Sequence, residues 1–532
     1  MYCDVILAGG RVVTGCGNPW YRADIALKDG RIAAIGRALG VHADEVVDVQ
    51  GMIVCPGFID AHSHSDFEYF ADSAAQSKVR QGVTLEIIGN CGFSAAPWKG
   101  ASRRPERTRG YAPTWESMPE YLDALDRTEK AVNIAVLLGH GTLRAANVGL
   151  NDRAASDREL GAMQAALAEG LVAGNLGLSL GLYFSPGSYA TREELVKLGS
   201  VVAKHGGLVA AHIRDEGVVS VGFSNAVKEF LEIGREAKVP INISHIKAHG
   251  PASWGLSETI LSLLDEARVE GVEITCDQYP YVASGGHIAT DSLPLSFQAG
   301  KTATEIAKEL ERAAVRDELV DEVRENIDRR GGPENQILAS YAPDRALEGT
   351  TIAALAKREG GDPAGVVMDL LCNAGKDCLA IEWVSRAMSD GDVESFMRYP
   401  WTMIGTDGAA LSTQGPLSSG RPHPRNFGSF PRVLSLYVRE KKILRLEEAI
   451  RKMTSLPAQV FGISNRGVLT EGNWADIVVF DPETIADVPF SHPKQYPSGI
   501  LHVLVNGEWV IRDRVFTGAL PGRVVRSRTA VA

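Results

Sequence analysis

Six side chains with the chemistry of metal ligands or proton carriers recur at the ends of short apolar runs. They are His62 and His64 in DAHSH, Cys91 in GNCG, His212 in AHIR, His245 in SHIK and Asp407 in GTDG. A strand alternates faces at every residue, so His62 and His64 point the same way and could meet one cation. Taken singly, each has a plainer reading: two surface histidines, a buried inert thiol, core histidines, a turn aspartate. Their conjunction at five strand ends is the signal. Imidazole and thiolate are borderline-soft ligands that suit Zn²⁺, and an open coordination position lets bound water ionise near neutral pH. A carboxylate at Asp407 could take the proton of an attacking water and return it to a leaving nitrogen.

The elements that must position these residues are eight strand-like runs alternating with helical stretches. The runs are MIVCPGFIDAH, VTLEIIGNC, AVNIAVLLGH, NLGLSLGL, LVAAHI, VPINISHI, VEITCDQYPY and WTMIGTDG. Eight is the number that closes a (β/α)8 barrel, whose catalytic groups sit at the C-terminal strand ends. Between the seventh and eighth runs lie about 120 residues, far more than a βα connection needs. The charged helical stretch from Thr302 to Arg330 and the following ILASYAP therefore predict an inserted lobe at about 286–345. The first fifty and last seventy residues alternate apolar and polar positions around turn dipeptides such as Asn506-Gly507. The expected architecture is an α/β protein: a TIM-like barrel over 56–464, with a small β-sandwich-like domain built from both termini, 1–55 and 465–532.

Composition narrows the function. The chain has 532 residues, 45% hydrophobic and 23% charged, as in ordinary globular proteins. Fifty-five Lys and Arg against 66 Asp and Glu give a formal charge of −11, with no basic run beyond Arg103, Arg104, Arg107 and Arg109, so a nucleic-acid partner is not expected. No apolar run reaches the roughly 18 to 20 residues of a membrane span. Seven cysteines from Cys3 to Cys378 make no disulfide framework. The expectation is a cytoplasmic enzyme acting on a small molecule.

PGFIDAHSHSD, GNCGFS, AHIRDEG, SHIKAHG, DQYPY, GTDG, HPRNFGSFPRVL and the closing GNWADIVVFDP occur in that order over almost the whole chain. The set resembles the amidohydrolase superfamily, in particular its N-acyl-D-amino-acid deacylase (D-aminoacylase) branch. HxH alone matches the superfamily, and the GNCG cysteine matches the branch. The resemblance implies that Cys91, His212 and His245 hold one tightly bound zinc. It further implies that His62 and His64, with Cys91 shared, form a second, weaker site, and that Asp407 is the general base and acid. By the same resemblance Lys247, Tyr279 and Arg421 would meet the substrate carboxylate. Arg suits that task as a bidentate fork and Lys as a point charge.

Two departures stand out. Where the family carries a tyrosine in a GLxYxPG stretch, this chain reads GLYFSPG, with Phe184 at that position and Tyr183 beside it, so an oxyanion donor is missing. After DQYPYVAS, hydroxyl-bearing residues are replaced by Gly285-Gly286, with Ser284 retained nearby. His140, Arg144, His249, His287 and His423 are expected in structural or loop roles, and Glu216, four residues after His212, either orients a ligand or pairs at the surface. The leading reading is zinc-dependent hydrolysis of the amide bond of an N-acyl-D-amino acid. Its rivals are a hydrolase of a larger amide and a cyclic-amide hydrolase of hydantoinase or dihydroorotase type, although the fourth run lacks the lysine such a binuclear site uses. A deaminase would have no need of Cys91, and a non-catalytic binding protein would not need all six residues.

Overall fold

The computed structural model describes residues 2–37, 39–104 and 107–527; residues 528–532, the tail of the expected composite β domain, lie outside the described part. Parallel strands occur in the expected order: Phe58–Asp60, Val83–Ile88, Asn133–Val136 with Leu138–Gly139, Gly177–Gly181, Leu208–His212, Ile241–Ile243, Ile274–Gln278 and Thr402–Ile404. They are buried almost throughout, as strands covered on both faces must be. The third is interrupted at Leu137, so the ladder divides into a three-stranded and a six-stranded sheet. Backbone bonds from Leu137 N to Ile88 O and from Leu176 N to Val136 O carry the chain across that break. The first and last strands are tied by Ala61 N to Ile404 O, Asp407 N to His62 O and a Ser63–Gly408 bridge. The fold is the (β/α)8 barrel.

The helices between strands show why these stretches fold as they do. Asp157–Ala173 starts at a Ser156–Glu159 capping box and stops at Gly174, whose φ of +111° only glycine adopts freely. Arg192–Lys204 is capped by Thr191, and Phe223–Ala237 buries Phe223, Val227, Phe230 and Leu231 at helical spacing against the barrel.

Strands from both ends of the chain share one nine-stranded sheet. Tyr2–Val12 pairs in parallel with His42–Asp48 and then with Ile53–Pro56, and antiparallel with Tyr21–Lys28. Ile53–Pro56 in turn pairs antiparallel with Ile477–Phe480, which joins the two ends. Asn506-Gly507, both at positive φ, makes the two-residue turn between Ile500–Val505 and Glu508–Arg512.

The insertion is larger than the expected 286–345. A three-stranded antiparallel sheet (Ser284–His287, Gln336–Ser340, Glu382–Ser385) and the helices around it enclose a separate apolar cluster that runs from Ile288 to Trp383. The indole of Trp383 is fully buried and donates to Asp291 Oδ2 at 2.7 Å. Asp291 also accepts from Arg330 at 2.8 Å, so one carboxylate joins the lobe's strand and long helix. The glycine at 286 has a physical reason here, because a Cβ would lie 2.2 Å from Asp291 Oδ2. Gly286→Ala is expected to lower stability by about 1–3 kcal/mol, as overpacking does, read as a drop in chemical-denaturation midpoint. An unchanged midpoint would show that Asp291 can move aside without cost.

Candidate active site

The strand ends meet at a cavity of about 1090 Å³. Cys91 Sγ lies 3.1 Å from His245 Nε2 and 3.3 Å from His62 Nε2. The His212 and His245 rings are 4.5 Å apart, and His62 stands 4.7 Å from His245 and 5.2 Å from His64. Two sets of donor atoms lie within 4.8 Å of one another: Cys91, His212 and His245, and His62, His64, Cys91 and Asp407. All six expected residues are thus brought together. Asp407 lies in the same donor set as the His62–His64 pair.

Three of the six, Cys91 (φ +53°), His245 (φ +35°) and Asp407 (φ +47°), hold left-handed backbone that non-glycine residues avoid. Each such residue costs on the order of 1 kcal/mol or more and persists where the surroundings over-determine it. Those surroundings are visible. His245 N donates to Asp277 Oδ1 at 2.8 Å, and Asp407 N to His62 O at 2.8 Å. The same Asp277 oxygen lies 3.1 Å from His62 Nδ1, so one carboxylate holds the His245 backbone and faces the His62 ring.

Behind the site is a wholly buried ionic knot. Lys78 Nζ donates to Asp60 Oδ2 and Thr406 Oγ1, both at 2.7 Å, to Gly408 O at 3.0 Å and to Ser63 Oγ at 3.1 Å, and lies 3.1 Å from Glu86 Oε1. Asp60 Oδ1 accepts from Thr406 N at 2.8 Å. Ser63, Ser65 and Tyr69 hydroxyls donate to Glu86. Burial alone would neutralise Lys78, but Asp60 and Glu86 overcome it and hold the ammonium's pKa above the ordinary value.

Electrostatics set the state of the acid. Burial works against an ionised Asp407, yet Arg425, His245 and His64 hold it well below the usual carboxylate range. Its Oδ2 accepts from Arg425 Nη1 at 2.6 Å, and its Oδ1 lies 2.9 Å from His64 Nε2. It is held as an ionised carboxylate.

The expected substrate contacts divide. Lys247 lines the cavity, but Nζ already donates to Glu216 Oε1 (2.5 Å) and His245 O (2.8 Å) and lies 2.7 Å from His245 Nδ1, which makes it an orienter of His245. Glu216 lies 3.0 Å from His245 Nδ1 and 3.5 Å from His212 Nε2, the ligand-orienting geometry rather than a surface pair. Tyr279 lines the cavity, and its buried hydroxyl has no hydrogen-bond partner among the described residues. Ser284 lines it too, 3.2 Å from His249 Nε2. Tyr183 stacks on His212 at 5.4 Å and accepts from Arg330 at 2.6 Å, while burial pushes its hydroxyl up to about 12. Phe184 meets the His212 ring edge to face, with centroids 4.6 Å apart.

Arg421 is a correction. It is exposed, lies outside the cavity lining, and its guanidinium is spent on the Ser491 carbonyl. Arg425, four residues on in the same RPHPR stretch, is the arginine that enters, 4.8 Å over the Tyr279 ring. Arg330 of the lobe and Asp277 were also missed. Asp277 carried a sequence signal, an acid at the end of the seventh strand, whereas Arg330 carried none, since nothing local tells a lobe arginine from a surface one. His140 pairs with Glu194 beside Arg144, away from the cavity lining, whereas His423 lines the cavity while bridging Arg425 N and Ala283 O. His249 and His287 do line the cavity.

Comparison with known proteins shows the family. The amidohydrolase family model matches residues 45–511. The chain is 37% identical over 531 residues to a D-aminoacylase of Alcaligenes xylosoxydans xylosoxydans, covering 99% of this chain and 98% of that one. It is 36% identical to an N-acyl-D-glutamate deacylase of the same organism, with the same coverage. A crystal structure of N-acyl-D-glutamate deacylase from Bordetella bronchiseptica, complexed with zinc and a phosphonate mimic of the tetrahedral intermediate, superposes with a TM-score of 0.83 at 35% identity, covering 99% of this chain and 100% of that chain. The chain belongs to the amidohydrolase family. It is a metal-dependent hydrolase.

Removing the knot behind the site gives a direct test. Lys78→Met leaves Asp60 and Glu86 buried without their cation, and is expected to cost about 3–5 kcal/mol, measured by chemical denaturation. A loss under about 1 kcal/mol would show that the three strand ends hold their places without it.

Proposed function

We propose that the protein hydrolyses the amide bond of N-acyl-D-amino acids with zinc as its metal, releasing a carboxylate and a free D-amino acid. One observation carries the reading most: two sets of buried donors share Cys91 and sit against an ionised Asp407. The donor set fits zinc. It is thiolate and imidazole, the residues are buried or nearly so, and His212 Nδ1 is a buried polar atom without a hydrogen-bond partner among the described residues. Cys91, His212 and His245 would hold the tighter ion, and His62 and His64 with Cys91 a second, weaker one. Zinc there would supply polarisation of the scissile carbonyl and acidification of the attacking water, a contribution that matters more because Phe184 brings no hydroxyl.

The chain's own groups do the rest. Asp407 accepts the proton of the attacking water and delivers it to the amide nitrogen as the C–N bond breaks, because an amine leaves only when protonated. Arg425 and His64 hold that carboxylate in line and ionised. Arg425 with the Tyr279 hydroxyl faces the amino acid's carboxylate, and Lys247 with Glu216 fixes His245. The seven cysteines are all free and no described helix is long and apolar enough to cross a membrane, which supports placing the enzyme in the cytoplasm.

The test is amine release from matched N-acyl D- and L-amino acids by zinc-loaded protein, with metal content measured in parallel. D substrates alone are expected to turn over. Asp407→Asn is expected to lower kcat by about 10²–10⁴-fold with folding intact, and Cys91→Ala to lower zinc content as well as rate. Equal turnover of L substrates, or full activity in Asp407→Asn, would overturn the reading.

A further inference from the structure

An imidazole that meets a metal needs its ring plane fixed from outside, because χ2 of histidine is a broad, weakly restrained torsion. The common device is a carboxylate or carbonyl at the ring nitrogen that does not meet the metal. Two histidines of the site have an acid at that range. His62 Nδ1 lies 3.1 Å from Asp277 Oδ1, and His245 Nδ1 lies 3.0 Å from Glu216 Oε1. His212 is held differently. The Glu216 carboxylate stands 3.5 Å from its Nε2, long for a hydrogen bond, and its Nδ1 has no hydrogen-bond partner among the described residues.

Rings surround His212 instead. Tyr183 stacks on it with centroids 5.4 Å apart and planes inclined by 26°, while Phe184 and His245 meet it edge to face at 4.6 and 4.5 Å. A turn about Cβ–Cγ would drive the imidazole into the stacked ring, so the plane of His212 depends on where Tyr183 stands. Tyr183 is in turn tethered from outside the barrel. It follows the fourth strand, and its hydroxyl accepts a 2.6 Å bond from Nη2 of Arg330, which ends the lobe's long helix Ala313–Arg329. Arg330 is buried and donates from the same nitrogen to Asp291 Oδ1 at 2.8 Å, and Asp291 Oδ2 accepts from the Trp383 indole at 2.7 Å. Hydrogen bonds from a guanidinium are directional and strong, so the lobe's position reaches His212 through one arginine and one ring.

We propose that Arg330 is a positioning residue of the metal centre: through the Tyr183 hydroxyl it fixes the ring that orients His212, and so couples the seating of the inserted lobe to metal affinity. The proposal rests on the zinc reading above. It also accounts for the local sequence. The hydroxyl stands at 183 and not at 184 because the stacked ring needs a tether, whereas Phe184 is held between Phe93 and His212 by ring contacts alone. Glycine stands at 286 because Asp291, which anchors Arg330, fills the space of a Cβ there. An arginine suits position 330 because its planar fork can serve a hydroxyl and a carboxylate together.

The experiment measures the zinc dissociation constant by competition with a chromophoric chelator, and the visible spectrum of the cobalt-substituted protein, which reports ligand geometry without turnover. Arg330→Met is expected to weaken zinc binding about 10–100-fold and to change the cobalt bands. Arg330→Lys, which keeps a donor for the Tyr183 hydroxyl, is expected to recover most of that loss. Tyr183→Phe leaves Arg330 paired with Asp291 and the lobe intact, and is expected to reproduce the loss. The Arg330→Met/Tyr183→Phe double variant is expected to lose no more than either single one, because both cut the same link. Unchanged affinity in Arg330→Met and Tyr183→Phe, or losses that add in the double variant, would overturn the assignment to Arg330. Cys91→Ala run alongside would then show, by its own loss of zinc, that the zinc reading still stands. A wild-type protein that binds no zinc would sink both.

Discussion

The charged contact on which the site most depends lies outside the cavity. Lys78, fully buried, binds residues from the end of the first strand (Asp60, Ser63), the second strand (Glu86) and the end of the eighth (Thr406, Gly408). These segments carry His62, His64 and Asp407. A cation with carboxylates on two strands and carbonyl and hydroxyl acceptors on a third cannot be satisfied in any other register, so it specifies the alignment of the barrel's first and last strands. A buried ion pair adds little net stability over an apolar replacement, but it penalises every arrangement that leaves its members unpaired. Here that penalty bears on the relative position of the histidine pair and the acid.

Strain is the other side of the same design. Cys91, His245 and Asp407 bend into left-handed backbone at the point where each strand ends. The turn directs the side chain inward over the barrel mouth, where an ideal strand would have carried it past. The cost is met by bonds from neighbouring strand ends: Asp277 to His245 and His62, His62 to Asp407. His245 and Asp407 are thus each held by the strand beside them, and the convergent groups form a ring of mutual constraint. Arg425 extends that ring by fixing the Asp407 carboxylate from the helix after the eighth strand.

Much of this was legible in the sequence because it is local. Strand-end residues carry their own address: an apolar run says strand, and the polar residue that closes it says mouth of the barrel. That logic places His62, His64, Cys91, His212, His245 and Asp407 in one site. It fails where position depends on distant packing. Arg421 and Arg425 sit four residues apart in one loop, and only the turn at His423, which bridges Arg425 N and Ala283 O, decides which of them faces inward. The lobe's far boundary was likewise illegible, since Trp383 joins the cluster of Ile288 through a β-pairing that no local pattern announces. Lys78 resembles any helical lysine until Asp60 and Glu86 are seen beside it.

The central claim is that the strand ends converge on a cysteine-containing zinc centre. Zinc-edge X-ray absorption on the zinc-loaded protein at one equivalent of metal tests it most directly. The account predicts one sulfur scatterer at about 2.3 Å together with imidazole nitrogens at about 2.0–2.1 Å, the sulfur being lost in Cys91→Ala. A first shell of nitrogen and oxygen alone in the wild type would contradict it, because the geometry around Cys91 would then serve something other than the metal.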